Sequence, residues 1–308
     1  MISVVIETWN LGARVEQPLA DVLSRLAPQL AGAELIVTHA GLDPDVRARL
    51  DRISDALAAI RWLDVGDAGY YEHKNRGFDA ATGDIVAFLD GDCTPVAGWL
   101  AAIAAPFATG ARVVAGATSY PGPLAALANA IDFPYFDGRD ARRVAIADAP
   151  PTVRNFFANN VAFAREVFAA RRYPAIEPMF HGQCQVLGLQ LLADGIEVHF
   201  APAARVSHAW PDGVAEHLEV RLLRGADTVS LLPYVLATYA PRTAAPARRL
   251  GALPVLGLFG VRAALATWSA LRDGPRLAGL GLVAYMTILD AIGAAARPLV
   301  YRRYGVAR

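Results

Sequence analysis

The sequence predicts an α/β fold with a mostly parallel central sheet flanked by helices, followed by an apolar helical segment. Short runs rich in β-branched residues alternate with segments of helical periodicity, as they do in a doubly wound sheet. The 308 residues are enough for one large domain, or for one domain with an appendage. Apolar residues make up 55% of the chain, a high share for a soluble protein, and this indicates contact with a membrane.

The elements follow one another in a regular order. The opening run ISVVIET is short and β-branched, as expected of a buried parallel strand, and it lacks the basic region and cleavage site of a signal peptide. Residues 120–152 carry many Pro, Gly and Asp without periodicity and are predicted to form a long loop. Strands are predicted over residues 2–8, 33–38, 61–65, 84–89, 111–117 and 196–201, and helices over 16–30, 46–60, 75–82, 99–107 and 185–194.

Charge is distributed unevenly although the net charge is zero. From Ser230 to the end there are ten Arg and two acidic residues, a balance of +8, and the first 229 residues carry a balance of −8. The positive charge lies among hydrophobic segments, which argues against a nucleic-acid partner and favours an anionic membrane surface. Two cysteines, Cys93 and Cys184, have no metal or disulfide spacing, so a reducing compartment is expected.

Two apolar stretches occupy the C-terminal part. Residues 253–271 are interrupted only by Arg262, and residues 277–296 only by Asp290. Each is long enough to cross about 30 Å of hydrocarbon at about 1.5 Å per residue, and the flanking arginines would place both ends on the cytoplasmic side. Arg262 and Asp290 are then expected to pair or to snorkel. A pair of helices lying on the membrane surface and a soluble helical cap are the alternatives.

Polar side chains follow three of the predicted strands where each one ends. They are Thr8 and Asn10, Thr38 and His39, and the pair Asp90 and Asp92. Ligands bind beyond the carboxyl ends of parallel strands, so these side chains should meet at one rim. The two aspartates could hold a hard divalent ion, Mg²⁺ or Mn²⁺. An ordinary acidic turn is the alternative.

Five segments, in the same order, resemble motifs of the family 2 glycosyltransferases of the GT-A fold. The resemblance covers roughly residues 2–225 and implies a GT-A (Rossmann-like) sheet. Glu7 departs from the pattern, since proline is usual at that position. The segments are SVVIETWN at 3–10, NRGFDAATG at 75–83, LDGD at 89–92 before Pro95 and Trp99, NNVAF at 159–163, and GIEV at 195–198 before His208.

The resemblance implies a role for each matching polar residue. A divalent metal would be held by Asp92, Asp90 and His208, with Asp92 the more direct ligand. A histidine that merely caps a strand is the alternative for His208. The residues expected at the nucleotide-sugar donor are Thr8, Asn10, Glu7, Asn75, Asp90 and Asp92, and those expected at the acceptor are Asn159, Asn160 and Trp99.

Three further residues are expected to act in catalysis. Arg221 and Arg224 resemble an arginine motif of membrane-linked members and would neutralise the diphosphate, although Gly225 replaces the usual tryptophan. A solvated basic helix face is the alternative. An inverting reaction also needs a base, and Gln183-Cys184 stands where the family has an acidic pair. The favoured base is His181, with Glu177 as the other candidate.

The sequence therefore predicts a metal-dependent, inverting glycosyltransferase. It would move a sugar from a nucleotide-diphosphate sugar to a lipid-linked or surface-glycan acceptor at the cytoplasmic face of a membrane. Residues 1–225 would form the catalytic domain and residues 226–308 a helical, membrane-associated hairpin. A catalytically degenerate relative that binds sugar nucleotides or a partner enzyme is one alternative. A sugar nucleotidyltransferase is another, but its glycine-rich phosphate loop is missing.

Overall fold

A computed structural model of the protein describes residues 1–54, 60–122, 125–132, 152–153, 155–273 and 276–306. Its described strands form one sheet in the order β3-β2-β1-β4-β8-β6-β9-β5, and β7 pairs with β9. The strands β1, β2, β3, β4, β6 and β9 run in one direction, which confirms the mostly parallel sheet. The strands are β1 (Ile2–Glu7), β2 (Glu34–His39), β3 (Ile60–Asp64), β4 (Ile85–Asp90), β5 (Cys93–Pro95), β6 (Val113–Ser119), β7 (Thr152–Val153), β8 (Asn160–Ala164) and β9 (Val198–His208).

Helices flank the sheet and form the C-terminal region. Short 3₁₀ segments span Trp9–Arg14, Ala27–Gln29 and Ala105–Thr109. The α-helices are α1 (Glu16–Leu26), α2 (Pro44–Ser54), α3 (Tyr70–Ala80), α4 (Trp99–Ala104), α5 (Ala125–Asp132), α6 (Arg165–Ala170), α7 (Gln183–Ala193), α8 (Gly213–Tyr239), α9 (Pro241–Arg249), α10 (Leu253–Asp273), α11 (Arg276–Ala295) and α12 (Arg297–Arg303).

The periodicity of the sequence explains how these elements pack. Helix α1 buries Leu19, Val22, Leu23 and Leu26, whose spacing places them on one face. The central strands β1, β2 and β4 are buried over nearly their whole length, as expected of parallel strands covered on both faces. Helix α3 begins at Tyr70, five residues before the predicted start. Tyr70 and Lys74 therefore both belong to this helix, and both are buried.

The chain divides into two compact units that alternate along the sequence. The first unit comprises Met1–Ser119, the described residues of Gly138–Tyr173, and Asp194–Ala209, and it contains the whole described sheet. The second comprises the described residues of Tyr120–Asp137, Pro174–Ala193, and Trp210–Arg308. The predicted domain boundary after residue 225 falls inside helix α8, so these units do not follow it. Most of the predicted loop 120–152 lies outside the described residues.

In the second unit, helices α8 and α11 meet at two glycines. A Cβ atom at Gly225 would overlap the backbone carbonyl of Asp290, and one at Gly293 would overlap that of Leu222. Close helix contact needs small residues at the crossing. Gly225 stands where the family motif has tryptophan. The close contact with α11 leaves no room for a side chain at this position.

A buried ionic network accompanies that crossing. Arg221 of α8 pairs with Asp132 and with Asp290, and Arg262 of α10 also pairs with Asp290. The predicted pairing of Arg262 with Asp290 is therefore confirmed. Arg224 adds a contact of 2.7 Å to Asp132. The network ties α5, α8, α10 and α11 together.

The two apolar stretches form helices α10 and α11. Within the described part of the chain, only Leu277–Ala295 of α11 is long and apolar enough to cross a bilayer, judged by length and composition. The apolar part of α10, Leu253–Trp268, is shorter. The structure thus supports one of the two predicted spans on this criterion.

Candidate metal and donor site

Four potential ligand side chains come together where strands of the first unit end. Asp90 ends β4 and lies beside Glu7, the last residue of β1, in the parallel register. Cys93 opens β5 and pairs with His208, the last residue of β9. The ligand atoms of Asp90, Asp92, Cys93 and His208 all lie within 4.8 Å of one another. The predicted convergence of the β4 carboxylates with His208 is thus present in the structure.

Asp90 is held by two side chains of helix α3. The Lys74 ammonium lies 2.5 Å from Asp90 Oδ1, and the Tyr70 hydroxyl donates to the same carboxylate at 2.8 Å. Tyr70 and Lys74 are four residues apart, so both reach the carboxylate from one helix face. The Lys74 ammonium also lies 4.8 Å from the centre of the Tyr70 ring. One carboxylate of the cluster is therefore already neutralised by the protein.

Glu7 is fully buried next to this pair. Its carboxylate accepts hydrogen bonds from the Trp9 backbone N–H at 2.8 Å and from the Asn10 side-chain amide at 3.2 Å. The Asn10 amide also lies 3.5 Å from Asp90 Oδ2. Burial, and then the charge of Asp90, raise the pKa of Glu7 well above its usual range.

Asp92 is the carboxylate with an open position. Its Oδ1 atom is buried and has no hydrogen-bond partner among the described residues. Burial raises the pKa of Asp92, while the nearby His208 opposes that rise. His208 Nδ1 lies 2.7 Å from the Ala209 carbonyl and donates to it, since a carbonyl oxygen only accepts. The Nε2 atom of His208 lies 3.9 Å from Asp92 Oδ2.

This set of donors fits a hard divalent cation. Carboxylate oxygens and an imidazole nitrogen are suitable ligands for Mg²⁺ or Mn²⁺. Burial raises the pKa of the Cys93 thiol well above its usual value, so Cys93 offers a neutral thiol instead of a thiolate. The ligands that fit best are Asp92 and His208, with Asp90 held in place beside them.

Gly91, between the two aspartates, lies where the packing leaves no room for a side chain. Its N–H donates to the Glu7 carbonyl at 2.8 Å. A Cβ atom on Gly91 would lie 2.9 Å from that same carbonyl oxygen and 2.8 Å from Leu11 Cδ1. The missing side chain lets the turn after β4 pack on the end of β1, and this sets the position of Asp92.

Two predicted donor residues use their polar atoms within the protein. Thr8 is buried, and its hydroxyl donates to the Thr38 carbonyl at 3.0 Å. Asn75 lies on α3, and its amide donates to the Tyr173 carbonyl at 3.1 Å. Donor binding by these two residues stays a prediction, and their contacts support a role in holding the scaffold.

The predicted acceptor residues lie largely inside the fold. The Trp99 indole donates to Asn160 Oδ1 at 2.9 Å, and the Asn160 amide donates to the carbonyls of Ala117 and Ala204. Trp99 is 0% exposed and Asn160 is 1% exposed, so neither is accessible to an acceptor in this structure. Asn159 accepts from the Thr118 hydroxyl at 3.0 Å and is also buried. The contacts of Trp99 and Asn160 join helix α4 to the sheet, and acceptor binding by these residues stays a prediction.

The family membership follows from comparison of the sequence with known families. The model described as "Glycosyl transferase family 2" matches residues 3–168, which is more than half of the chain. The chain belongs to glycosyl transferase family 2. The matched region contains β1, α3 and β4, and with them the two aspartates, Lys74 and Tyr70.

Characterised relatives of this family 2 chain are distant. It is 27% identical over 125 residues to "Glycosyltransferase AglE" of Haloferax volcanii, covering 40% of each chain. It is 26% identical over 170 residues to "Glucosyl-dolichyl phosphate glucuronosyltransferase" of the same organism, covering 54% of this chain and 53% of that protein. The match thus spans about half or less of the length of these relatives.

Solved structures share the fold. The mannosyltransferase PcManGT from Pyrobaculum calidifontis, in complex with GDP-Man and Mn²⁺, aligns with a TM-score of 0.59 at 20% identity, covering 96% of this chain and 86% of that one. Glucosyl-3-phosphoglycerate synthase from Mycobacterium tuberculosis, in complex with Mg²⁺ and UDP, gives a TM-score of 0.51 at 17% identity, covering 77% and 79%. The GT-A fold predicted for this family 2 chain is therefore confirmed.

The predicted catalytic residues all lie in the second unit. Arg221 and Arg224 belong to the ionic network with Asp132, so their guanidinium groups already have carboxylate partners. His181 stacks on Phe180, with ring centres 3.8 Å apart. The Asp227 carboxylate accepts the backbone N–H groups of Phe180 and His181 at 2.8 and 2.6 Å. Asp227 thus fixes the loop that carries His181, and the catalytic roles stay predictions.

Sequence reasoning missed Lys74 and Tyr70. Lys74 is the only lysine in the chain, and it lies between the buried residues Tyr70 and Phe78 on α3. A single lysine on the buried face of a helix needs an internal carboxylate partner. That argument could have predicted a buried ion pair, but the identity of the partner depends on the packing of α3 against the sheet.

Proposed function

We propose that this protein is a metal-dependent glycosyltransferase that transfers a sugar from a nucleotide-diphosphate sugar. The cluster of Asp90, Asp92 and His208 at the carboxyl ends of the strands is the observation that carries the proposal. In an open α/β sheet this edge is where ligands bind. The membership in glycosyl transferase family 2 supports the same reaction class.

The roles of the site residues follow from their contacts. Asp92 and His208 would hold the divalent ion, which when bound neutralises the charge of the diphosphate leaving group. Lys74 and Tyr70 keep the Asp90 carboxylate in a fixed position beside it. Glu7, held by Trp9 and Asn10, fixes the start of the segment that follows β1. The site would thus be organised before the donor arrives.

The acceptor is proposed to be lipid-linked or a surface glycan, used at the cytoplasmic face of a membrane. The name of one relative includes a dolichyl phosphate, and α11 contains one candidate span. The excess of arginine in the tail adds attraction to an anionic surface. Proteins solved in complex with GDP-Man and Mn²⁺ or with UDP and Mg²⁺ share the fold, so the donor is proposed only as a nucleotide-diphosphate sugar.

The inverting base is proposed to be His181. The Asp227 carboxylate accepts the backbone N–H groups of Phe180 and of His181 itself, which would hold the backbone that carries the imidazole. Arg221 and Arg224 would act on the diphosphate only after exchange of their present carboxylate partners. His181 therefore has the stronger structural support of the three.

A catalytically degenerate protein that binds sugar nucleotides is the second candidate. Gln183 replaces an acidic residue of the family, and its side chain is used locally, with the amide donating to the Met179 carbonyl at 3.1 Å. It also accepts the Gly182 N–H at 2.9 Å. The Gln183 side chain is thus used for hydrogen bonds within its own loop. This favours the loss of a catalytic carboxylate at that position.

Donor binding and turnover separate the two candidates. A thermal-shift screen of UDP-, GDP- and dTDP-sugars with Mn²⁺ should identify the donor, because a ligand that binds the folded state raises its stability. Release of nucleoside diphosphate is then measured for the native protein, for Asp92→Ala, and for Asp45→Ala, an exposed aspartate of α2. Metal-dependent release that Asp92→Ala alone abolishes supports the enzyme. Equal release by all three proteins, with or without Mn²⁺, would contradict it, and metal-dependent binding without release would favour the degenerate protein.

A further inference from the structure

The outer faces of α10 and α11 are apolar and exposed. On α10 the exposed side chains that the structure describes recur at helical spacing and carry no charge, and Trp268 among them is 68% exposed. On α11 the exposed face has the same character, with Leu277 88% exposed. Monomeric proteins rarely leave such continuous apolar faces in water. The large apolar residues of the two helices that are exposed are Leu253, Leu258, Val261, Leu265, Trp268, Leu271, Leu277, Ile288 and Ile292.

The opposite face of α11 is covered by protein along its length. Near its start, Gly279 packs against Leu127 of α5, and Val283 and Met286 join Ile131 in one buried cluster. Further along, helix α8 contacts α11 through the T-shaped pair of His217 and Tyr285, whose ring centres are 5.3 Å apart. The glycine crossing with α8 then completes the contact at Gly293.

This packing argues against α11 crossing a bilayer. A spanning α11 would carry His217 and the charged Arg221 and Asp132 into the hydrocarbon with it, because all three belong to elements packed on α11. Charged groups at that depth are costly. A helix whose inner face packs on protein and whose outer face is apolar suits the interface between lipid and water.

Positive charge lies at one end of this helix pair. Only residues 274 and 275 separate α10 from α11, so the two helices run antiparallel, and the start of α10 lies near the end of α11. Exposed arginines occur just outside that end, at Arg242 and Arg249 before α10 and at Arg302 and Arg303 after α11. Asp290, the acidic residue of α11, is buried in the ionic network. The exposed charge that the structure describes at this end of the helix pair is therefore positive.

We infer that the outer faces of α10 and α11 form a membrane-surface contact that inserts into the interface of an anionic bilayer without spanning it. The inference deepens the membrane association in the proposed function and rests on it. The exposed Trp268 fits the headgroup level, where tryptophan is enriched. A second copy of the chain is the other possible occupant, but the exposed arginines beside the apolar faces complement an anionic lipid surface and not an identical surface of the same charge.

Vesicle flotation of the full chain tests the contact. We expect binding to vesicles of phosphatidylcholine with an equal part of phosphatidylglycerol, and weaker binding to phosphatidylcholine alone. Leu265→Glu/Trp268→Glu should reduce binding at least about tenfold, because two apolar side chains are lost from the interface and two negative charges are added. The control Leu192→Glu/Val214→Glu replaces two exposed apolar residues outside α10 and α11 and should bind like the native chain.

Insertion depth separates surface contact from spanning. Val261 is exposed at the middle of α10, and both native cysteines are buried, so Val261→Cys can be labelled selectively with a fluorophore. Quenching by lipids brominated near the headgroup, and little by those brominated at the chain end, is the expected result. Stronger quenching from the chain end would overturn the inference in favour of a spanning hairpin.

Two other outcomes would also overturn it. Equal flotation of both double variants and the native chain would show that other residues bind the membrane. A dimer in solution that Leu265→Glu/Trp268→Glu dissociates, together with no binding to either kind of vesicle, would assign the face to a second copy. Failure of the proposed reaction would appear separately, because nucleoside diphosphate release is measured without vesicles and Asp92→Ala is expected to bind vesicles normally.

Discussion

Replacement of Lys74 by methionine tests how the acidic cluster is held before any metal binds. Lys74 Nζ lies 2.5 Å from Asp90 Oδ1, and neither side chain is more than 3% exposed. Methionine keeps most of the length of the aliphatic chain and removes the charge. The variant would leave Asp90 buried beside Glu7 and Asp92 without a cationic partner from α3.

The magnitude follows from the separation and the burial of the pair. Two unit charges 2.5 Å apart attract by roughly 7 kcal/mol at an effective dielectric constant of about 20. Desolvation of both groups offsets part of this attraction. Removal of one partner from a buried pair costs about 3–5 kcal/mol, and we expect Lys74→Met to lower the free energy of unfolding by that amount.

Urea unfolding in the presence of a chelator measures the effect. Lys74→Met, Asp90→Asn and the double variant form a cycle, and we expect the double variant to be more stable than the sum of the single effects predicts, by at least about 2 kcal/mol. Arg49→Met is a matched control, since Arg49 also lies 2.5 Å from a carboxylate, that of Glu16, but these side chains are 46% and 44% exposed. It should have little effect because water screens exposed pairs.

Added Mn²⁺ provides a second measurement on the same variants. A divalent cation next to Asp90 would replace the missing positive charge, so Mn²⁺ should stabilise Lys74→Met more than it stabilises the native protein. Additive effects in the cycle, or a loss for Lys74→Met no larger than that for Arg49→Met, would refute the reasoning. In that case Lys74 would contribute packing alone.

Two further predictions concern the second unit. Burial raises the pKa of Asp227 from 3.8 to about 6, although the hydrogen bonds that its carboxylate accepts act to lower it. The folded protein therefore binds this proton more tightly than the unfolded chain. The resulting contribution to the free energy of unfolding is present below about pH 4 and is lost as the pH rises through about 6. The change amounts to about 3 kcal/mol. Unfolding at several pH values should show this slope relative to Asp227→Asn, and parallel curves would contradict it. Gly225→Ala should destabilise by about 1–3 kcal/mol, because its Cβ would overlap the Asp290 carbonyl. Gly257→Ala on the exposed face of α10 should not destabilise, and equal losses in the two variants would contradict the close crossing.

The order and type of the main elements could be predicted because they depend on local pattern. Strands of short β-branched runs and helices such as α1, with apolar residues every three to four positions, carry that information within a few residues. Helix α3 shows the limit, since its first turn, with Tyr70, lies before the part that the pattern indicated. The long α8 was not predicted as one helix, because its apolar residues alternate with charged ones whose partners are distant in the sequence.

The group of potential metal ligands could be predicted only in part, for a related reason. Asp90 and Asp92 are marked by their place after a buried strand, and His208 by the family resemblance. Trp99 and Asn160 matched the family equally well, yet they bond to each other inside the fold. A sequence motif records which residue types occur at a position, whereas exposure depends on what packs over them.

The sequence by itself determined the fold class, the strand-end aspartates, the uneven charge and the apolar tail, because each of these depends on residues close together in the chain. Only the tertiary structure decided that Lys74 neutralises Asp90, that Arg221 and Arg224 are paired with Asp132, and that α11 packs on α5 and α8. Those outcomes join residues that are from 16 positions apart, as for Lys74 and Asp90, to 152 positions apart, as for Leu127 and Gly279. Their energies arise from burial and charge pairing at short range, and nothing in the local order of residues specifies which distant groups will meet.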